Sequence, residues 1–139
     1  MGSTTIEYRT LPGTRAAVGR AGTHSVVADR PKGTAGGMAL GFNGGELLAL
    51  AVGGCFCNDL QAIADEMGLV IADLRVAVTI DFDGTPSRAT DVRMDVDCQL
   101  EGGADPAGLI ERAKRVTTIG NSLRAGMPVK IEASDHGRG

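Results

Sequence analysis

The feature that most constrains this fold is an apolar run of 11 residues in the middle of the chain, Leu47 to Cys57, which reads LLALAVGGCFC. A membrane-spanning helix needs about 20 apolar residues, so this shorter run predicts a buried helix in a soluble protein. We therefore expect no membrane partner. A helix that is apolar on every side is also hard to bury within one small chain, which favours a protein partner here.

This helix is predicted to begin near Glu46 and to end near Met67. Asn43 or Gly44 can cap its first turn, and Glu46 complements the positive end of the helix dipole. Gly68 suits the position just after the last turn. The first half is apolar all round, whereas the second half, NDLQAIADEM, is amphipathic.

Length, charge and cysteine content bound the class of protein. A chain of 139 residues fits a single domain, 1–139. Its net charge of −3 argues against a nucleic-acid partner, because binding phosphates needs a basic face. Three cysteines form an odd set, and the N-terminus MGSTTIEYRT lacks the apolar stretch of a signal peptide. A reduced, cytoplasmic protein with free thiols is the expectation.

Most of the remaining chain is predicted to form strands. Residues 4–30 alternate in short stretches between glycines, which predicts two or three strands in hairpins. Residues 31–45, PKGTAGGMALGFNGG, are typical of a loop. The segments 74–82 and 92–100 alternate apolar and polar residues strictly, which predicts two strands, each with one buried face, joined as a long hairpin.

A second helix is predicted between Asp105, its N-cap, and Gly126, which ends it together with Pro128. Its predicted buried stripe consists of Leu109, Ala113, Val116, Gly120 and Leu123. The following PVKIE predicts a final strand, and 134–139 predicts a flexible tail. Strands and helices segregate along the chain, so the predicted class is α+β.

The cysteines are the main candidates for chemistry. Cys98 lies on the apolar face of its strand and is predicted to be structural. Cys55 and Cys57 are two residues apart on a helix and therefore face nearly opposite ways, so they cannot chelate one metal, and a disulfide between them would be strained. His24 and His136 add no ligand spacing. We therefore expect no metal and no cofactor, and at most one of the paired thiols facing a pocket.

A reactive thiol at Cys55 would need a group that favours its thiolate. In an apolar helix this must be a cation from elsewhere in the chain, such as Arg9, Arg15 or Arg20, held by a carboxylate such as Glu46. The alternative is that these arginines are solvated strand residues, that Glu46 serves the helix dipole, and that both thiols are inert packing.

Several stretches together resemble the OsmC/Ohr family of thiol-dependent peroxide reductases. They are GRAG before the glycine-rich loop, GFNGGELLALAVGGCF at the helix start, GLVIADLRVAVTIDFDG, and NSLRAGMPVKIE. The resemblance implies antiparallel sheets around two central helices and an intertwined homodimer, with active sites at the interface between the chains. It also implies that a thiolate attacks the peroxide and that a second cysteine then traps the sulfenic acid.

Residue by residue, the first cysteine of the family motif matches Cys55. The arginine that stabilises its thiolate matches Arg20, with Arg15 as the nearby alternative, and its carboxylate partner matches Glu46. The position of the family's second, resolving cysteine is occupied by Thr117, in TTIGNSL, and Thr117 cannot form a disulfide. Cys57 cannot replace it without unwinding the helix and is predicted to be structural.

Two functions follow from these matches. In the first, Cys55 reduces organic hydroperoxides in a one-cysteine cycle completed by an external thiol. In the second, the homodimer has lost this activity and binds a small apolar ligand in the same interfacial pocket. The predicted apolar walls of this pocket include Met38, Phe42, Leu50 and Phe56.

Overall fold

The computed structural model describes residues 2–134, which form two compact units. The first unit contains residues 2–53 and 76–96, and the second contains residues 54–75 and 97–134. His136 and the predicted tail, apart from Ser134, lie outside the described residues.

The first unit begins with the predicted hairpins. Strands β1 (Glu7–Thr10), β2 (Ala17–Ala21) and β3 (His24–Ala28) form an antiparallel sheet in the order β1-β2-β3. Gly19 stands opposite Tyr8, and a Cβ on Gly19 would lie only 2.7 Å from the Tyr8 ring. The glycine therefore lets the aromatic ring lie flat across the sheet.

The loop after β3 is held against that strand. Phe42 forms a parallel bridge with Ala28, and its N–H donates to the carbonyl of Val27 at 2.8 Å. The buried carboxylate of Asp29 accepts three backbone hydrogen bonds from within this glycine-rich segment. The predicted loop is thus an ordered structure with its own polar centre.

Helix α1 (Gly44–Glu66) begins two residues earlier than predicted. Its N-terminus is a capping box, because the Asn43 side chain accepts from the Glu46 N–H at 2.9 Å and the Glu46 carboxylate accepts from the Asn43 N–H at 3.0 Å. At the other end, Gly68 has a φ of +69° and completes a Schellman motif, in which the Leu69 N–H donates to the Ala64 carbonyl.

The first half of α1 is not buried on all sides within one chain. Val52 and Phe56 are fully buried, but Leu50 is 53% exposed. A single helix surrounded by so few elements cannot cover its entire apolar circumference. The expectation of complete burial is therefore wrong for the single chain.

By length and composition alone, α1 could cross a membrane, and among residues 2–134 it is the one helix that passes this test. Core helices of soluble proteins pass the same test. The second half of α1 buries Leu60 and Ile63 while Asp65 and Glu66 face solvent. This amphipathic pattern, as predicted, is that of a core helix.

Two long strands follow, β4 (Ile71–Asp83) and β5 (Arg88–Leu100), and they form a two-stranded sheet. Each extends beyond the predicted segment. In β5 the apolar residues Val92, Met94 and Val96 are half-buried and Cys98 is buried, whereas the intervening polar residues are exposed. The period of two predicted from the sequence is confirmed in β5, whereas Phe82, predicted on the buried face of β4, is 50% exposed.

The predicted second helix is two helices. A short 3₁₀ turn (Glu101–Gly103) precedes α2 (Ala107–Val116), and α3 (Thr118–Ala125) follows after a break. Thr117 has an extended ψ of 110°, which interrupts the helix. The N-cap is Pro106 and not the predicted Asp105. The Asp105 carboxylate does accept a hydrogen bond from the Ala107 N–H at 3.0 Å, from one position further out.

The break also changes the predicted buried stripe. Leu109 and Ala113 are buried, but Val116 and Leu123 are exposed. The turn at Thr117 accounts for Leu123, since the helical period of α2 does not continue into α3. Val116 precedes the break and is exposed where it lines a surface cavity.

The predicted final strand is absent from the described residues. Residues 126–134 have no regular structure, and Val129 and Ile131 are 79% and 92% exposed. A strand needs a neighbouring strand to pair its N–H and C=O groups, and this segment pairs with none of the five strands described.

Candidate functional site

The Cys55 thiol lies among polar side chains of the second unit. Its Sγ donates to Asp59 Oδ2 at 3.7 Å, and the Thr117 hydroxyl donates to Sγ at 3.8 Å. Cys55 and Asp59 are half-buried, whereas Thr117 is 2% exposed. Cys55 thus has both a hydrogen-bond acceptor and a hydrogen-bond donor at its sulfur.

Local backbone geometry explains why these groups meet. Asp59 follows Cys55 by four residues on α1, which places both side chains on one face of the helix. Thr117 is fixed at the break between α2 and α3, because its N–H donates to the Ala113 carbonyl at 3.0 Å and its carbonyl accepts from the Asn121 N–H at 2.9 Å. These bonds fix the backbone position from which the Thr117 side chain reaches Cys55.

Gly120 tightens this arrangement further. A Cβ at Gly120 would lie 3.0 Å from the Thr117 Cγ2 methyl group. Because a glycine stands here, the threonine side chain keeps its position in the break without being displaced.

The two partners of Cys55 have opposite chemical effects. A hydroxyl that donates to sulfur favours the thiolate, whereas a carboxylate that accepts from the thiol favours its protonated form. Asp59 also lines a surface cavity of about 310 Å³. The other residues of this cavity are Ala62, Ile63, Glu66, Arg112, Arg115 and Val116.

The other two cysteines differ from Cys55. Cys98 is buried, as predicted, and this burial, with a smaller contribution from the Asp97 charge, raises the pKa of its thiol. Cys57 is half-buried, and all three cysteines are free thiols. Within residues 2–134, no group of histidine, cysteine and acidic side chains is arranged to hold a metal ion.

The predicted partners of Cys55 lie in the first unit. Arg20 is exposed on β2 and lines a small cavity with Tyr8 and His24. The Glu46 carboxylate is engaged in the capping box. Among residues 2–53 and 76–96, no ion pair joins Glu46 to Arg20 or Arg15. The roles of these three residues at Cys55 stay predictions.

Arg15 lies beside the glycine-rich loop. Its aliphatic Cγ would be 3.0 Å from a Cβ on Gly36, so the side chain lies against the backbone there. Together with Asp29, Arg30 and Phe42, Arg15 lines a cavity of about 640 Å³ in the first unit.

The predicted pocket residues fall into two groups. Met38, Phe42 and Leu50, in the first unit, are between 41% and 53% exposed. Phe56, in the second unit, is 1% exposed and therefore packs as a core side chain. An apolar pocket that includes all four residues stays a prediction.

Sequence reasoning missed two acidic residues, Asp59 and Asp29. The spacing of four between Cys55 and Asp59 on a predicted helix was a usable signal for the first. Asp29 gave no local signal, since two of its partners, the N–H groups of Met38 and Leu40, are nine and eleven residues away.

The family model described as OsmC-like protein matches residues 35–132. This is well over half of the chain, so the chain belongs to the OsmC-like family, as the sequence resemblance predicted. No curated protein gives a significant match.

Solved structures show the same α+β fold with antiparallel sheets, which confirms the predicted class. An OsmC-like protein from Mycoplasma pneumoniae superposes with a TM-score of 0.74 at 15% identity, covering 88% of each chain. An organic hydroperoxide resistance protein OsmC from Legionella pneumophila gives 0.63 at 16% identity, covering 89% of this chain and 90% of that chain.

An organic hydroperoxide resistance protein from Elizabethkingia anophelis, with thiocyanate bound, gives a TM-score of 0.64 at 17% identity, covering 89% of each chain. At these identities the likeness establishes the fold that the proteins share.

Proposed function

We propose that this protein reduces organic hydroperoxides through Cys55, in a one-cysteine cycle completed by an external thiol. The observation that carries the proposal is the hydrogen bond from Thr117 to the Cys55 sulfur at 3.8 Å. This contact supports the proposal because the family resemblance matches Thr117 to the resolving cysteine, which must lie next to the peroxidatic thiol. Names of structural neighbours from Legionella pneumophila and Elizabethkingia anophelis, both organic hydroperoxide resistance proteins, point to the same substrate class.

In the first step, the Cys55 sulfur attacks the terminal oxygen of ROOH. The S–O bond forms, the O–O bond breaks, and the sulfur is oxidised to a sulfenic acid while the peroxide is reduced to the alcohol ROH. The thiol proton ends on the alcohol oxygen.

The second step cannot use an internal disulfide, because Thr117 has no thiol and Cys57 lies two residues from Cys55 on the same helix. A low-molecular-weight thiol R′SH displaces water from the sulfenic acid to give a mixed disulfide. A second R′SH then releases Cys55 as the thiol and leaves as R′SSR′.

Arg20 and Glu46 complete the proposed site. Arg20, or Arg15 in its place, would stabilise the thiolate, and Glu46 would orient the guanidinium. Both arginines are exposed in the single chain, so each is available to a site formed when two chains associate.

A homodimer is part of the proposal. Leu50 on α1 and the segment containing Val129 and Ile131 are exposed in one chain. Pairing of two chains would cover the apolar face of α1 and give the C-terminal segment a strand partner. Free thiols at all three cysteines suit a cytoplasmic location.

A second candidate function is binding of a small apolar ligand without chemistry. The cavity of about 640 Å³ in the first unit favours it, because its volume suits a small molecule. Phe42 and Phe82 supply apolar walls to this cavity.

The deciding experiment measures cumene hydroperoxide consumption by the purified protein with an excess of a small thiol, alongside trapping of sulfenic acid by mass spectrometry. We expect turnover and a trapped adduct on Cys55, both lost in Cys55→Ser and kept in Cys57→Ser and Cys98→Ser. If the wild-type protein and Cys55→Ser consume peroxide equally slowly, the peroxidase proposal is wrong and the ligand-binding function takes its place.

A further inference from the structure

Oxidation of Cys55 by a hydroperoxide moves a proton as well as electrons. The inference drawn from this proton transfer rests on the proposed peroxidase function. The thiol must lose its proton as the S–O bond forms, and the departing alkoxide must gain one. A side chain that accepts from the thiol and also reaches the peroxide can serve both steps. The structure shows which side chain of the second unit accepts from the thiol.

Asp59 is the acceptor. The Cys55 Sγ donates to Asp59 Oδ2 at 3.7 Å, while the Thr117 hydroxyl at 3.8 Å is a donor to the sulfur. In the described residues of the second unit, Asp59 is thus the group positioned to take the thiol proton. Its position four residues after Cys55 keeps the two side chains on one face of α1.

Asp59 also faces an opening to solvent. It lines the cavity of about 310 Å³ along α1 and α2, where the charged groups are Glu66, Arg112 and Arg115. Arg112 is paired with Glu66 at 3.2 Å. Cys55 does not itself line this cavity, so Asp59 is the residue that contacts both the cavity and the Cys55 sulfur.

We propose that Asp59 is a catalytic residue that carries the proton from the Cys55 thiol to the leaving oxygen of the hydroperoxide. As the sulfur binds the terminal oxygen of ROOH, the thiol proton passes to Asp59 Oδ2. The O–O bond breaks, the alkoxide RO⁻ takes that proton and leaves as ROH. Cys55 is then a sulfenic acid, and Asp59 is again a carboxylate.

The timing of this transfer follows from ordinary basicities. A carboxylate is normally a weaker base than a thiolate, so proton transfer from a thiol to a carboxylate is unfavourable before the sulfur begins to react. As the sulfur commits its electron pair to oxygen, its basicity falls and the transfer becomes favourable. The protonated carboxyl is a far stronger acid than an alcohol, so it protonates the alkoxide readily.

A purely electrostatic role for Asp59 predicts the opposite effect. A carboxylate beside a thiolate repels it, so removing the charge would make Cys55 react faster. The sign of the change on neutralising Asp59 therefore separates a proton carrier from a repelling neighbour.

The test is the rate of Cys55 sulfenic acid formation in Asp59→Asn, measured by stopped flow with cumene hydroperoxide in a Cys57→Ser, Cys98→Ser background. We expect a fall of about 10²-fold. Asp65→Asn, an exposed acid on the same helix, is the matched control and should keep the wild-type rate. Asp59→Glu, which keeps the carboxylate, should recover part of the loss.

A rate in Asp59→Asn that equals or exceeds that of the parent overturns the inference. The proposed function fails separately, if the parent itself forms no sulfenic acid on Cys55. Should Asp59→Asn fail to fold, the parent rate in D₂O decides, because a proton in transit predicts slower oxidation in D₂O and an unchanged rate overturns the inference.

Discussion

Each compact unit contains one buried polar residue among those described, and the two residues are used differently. In the first unit, Asp29 is 8% exposed and accepts only from backbone N–H groups, those of Arg30, Met38 and Leu40. In the second unit, Thr117 is 2% exposed and donates to the sulfur of Cys55. The two side chains are buried to a similar degree, but Asp29 bonds to backbone groups and Thr117 bonds to a thiol.

The hydrogen-bond partner of a buried polar side chain indicates whether that side chain supports structure or affects chemistry. The partners of Asp29 are fixed by the chain path, so its hydrogen bonds hold the glycine-rich loop in one conformation. The partner of Thr117 is a side chain that can change its chemical state. A buried group bonded to backbone supports structure, whereas one bonded to a thiol can affect reactivity.

The largest expected effect comes from Thr117→Cys, which turns the hydrogen-bond partner of Cys55 into a second thiol. The native Oγ1–Sγ distance is 3.8 Å, and a disulfide needs about 2.05 Å between sulfurs, so the side chains must close by roughly 2 Å. We expect one equivalent of hydroperoxide to convert both thiols to a disulfide.

Thiol titration and non-reducing peptide mapping measure this outcome. Thr118→Cys, on the exposed neighbouring residue, is the matched control and should leave Cys55 as a sulfenic acid. If peptide mapping of the Thr117→Cys variant finds no disulfide between position 117 and Cys55 after peroxide treatment, Thr117 does not occupy the position of a resolving cysteine.

The next effect concerns Asp29, for which we expect a loss of stability. Asp29→Ala removes the acceptor of three backbone N–H groups and leaves them without a partner in a buried position. The melting temperature should fall, and trypsin should cut after the loop residue Lys32. Asp83→Ala, which removes an exposed carboxylate with one local backbone bond, should change neither measurement.

Asp29 should also make the stability of the protein depend on pH. The backbone hydrogen bonds, that of Leu40 first, hold the pKa of the Asp29 carboxyl below its ordinary value of 3.8. Its stabilisation is therefore complete above that value and is lost as the pH falls through the lower pKa of the folded state. Acid unfolding curves of wild type and Asp29→Asn should converge at low pH, and a constant gap would contradict this account.

Asp29 also shows the limit of prediction from the sequence. Regular elements with a local period were predictable: the alternation in β4 and β5, and the apolar run with its caps in α1. The role of Asp29 depends on a loop that returns after nine to eleven residues, and no local period encodes such a contact.

Two errors near the C-terminus have physical reasons of the same kind. The break at Thr117 falls within four consecutive β-branched residues, VTTI at 116–119, which have a lower helix propensity. The prediction of one continuous helix follows the strong boundary signals at its two ends and gives this internal stretch too little weight. The alternation in PVKIE predicts a strand that the described residues do not form, because a strand also needs a partner, and the pattern of one segment cannot supply it.

The Cys55 site was predictable only in part. The thiol and the position of Thr117 came from the family resemblance, while their contact depends on the chain turning at the break between α2 and α3. Asp59 was predictable from helical spacing alone, because a residue four positions after a cysteine on a helix shares its face.

The smallest expected effect is that of Thr117→Val, which keeps the shape of the side chain and removes the hydrogen bond to sulfur. A typical hydrogen bond contributes about 1 kcal/mol, so the loss of one that favours the thiolate should slow Cys55 oxidation by about fivefold. Thr118→Val is the control for a β-branched substitution in the same turn.

Because Asp29 serves structure and Thr117 serves the thiol, Thr117→Val should change the oxidation rate while leaving the melting temperature near that of wild type. A large fall in melting temperature with an unchanged rate would reverse this contrast and make Thr117, like Asp29, a structural residue.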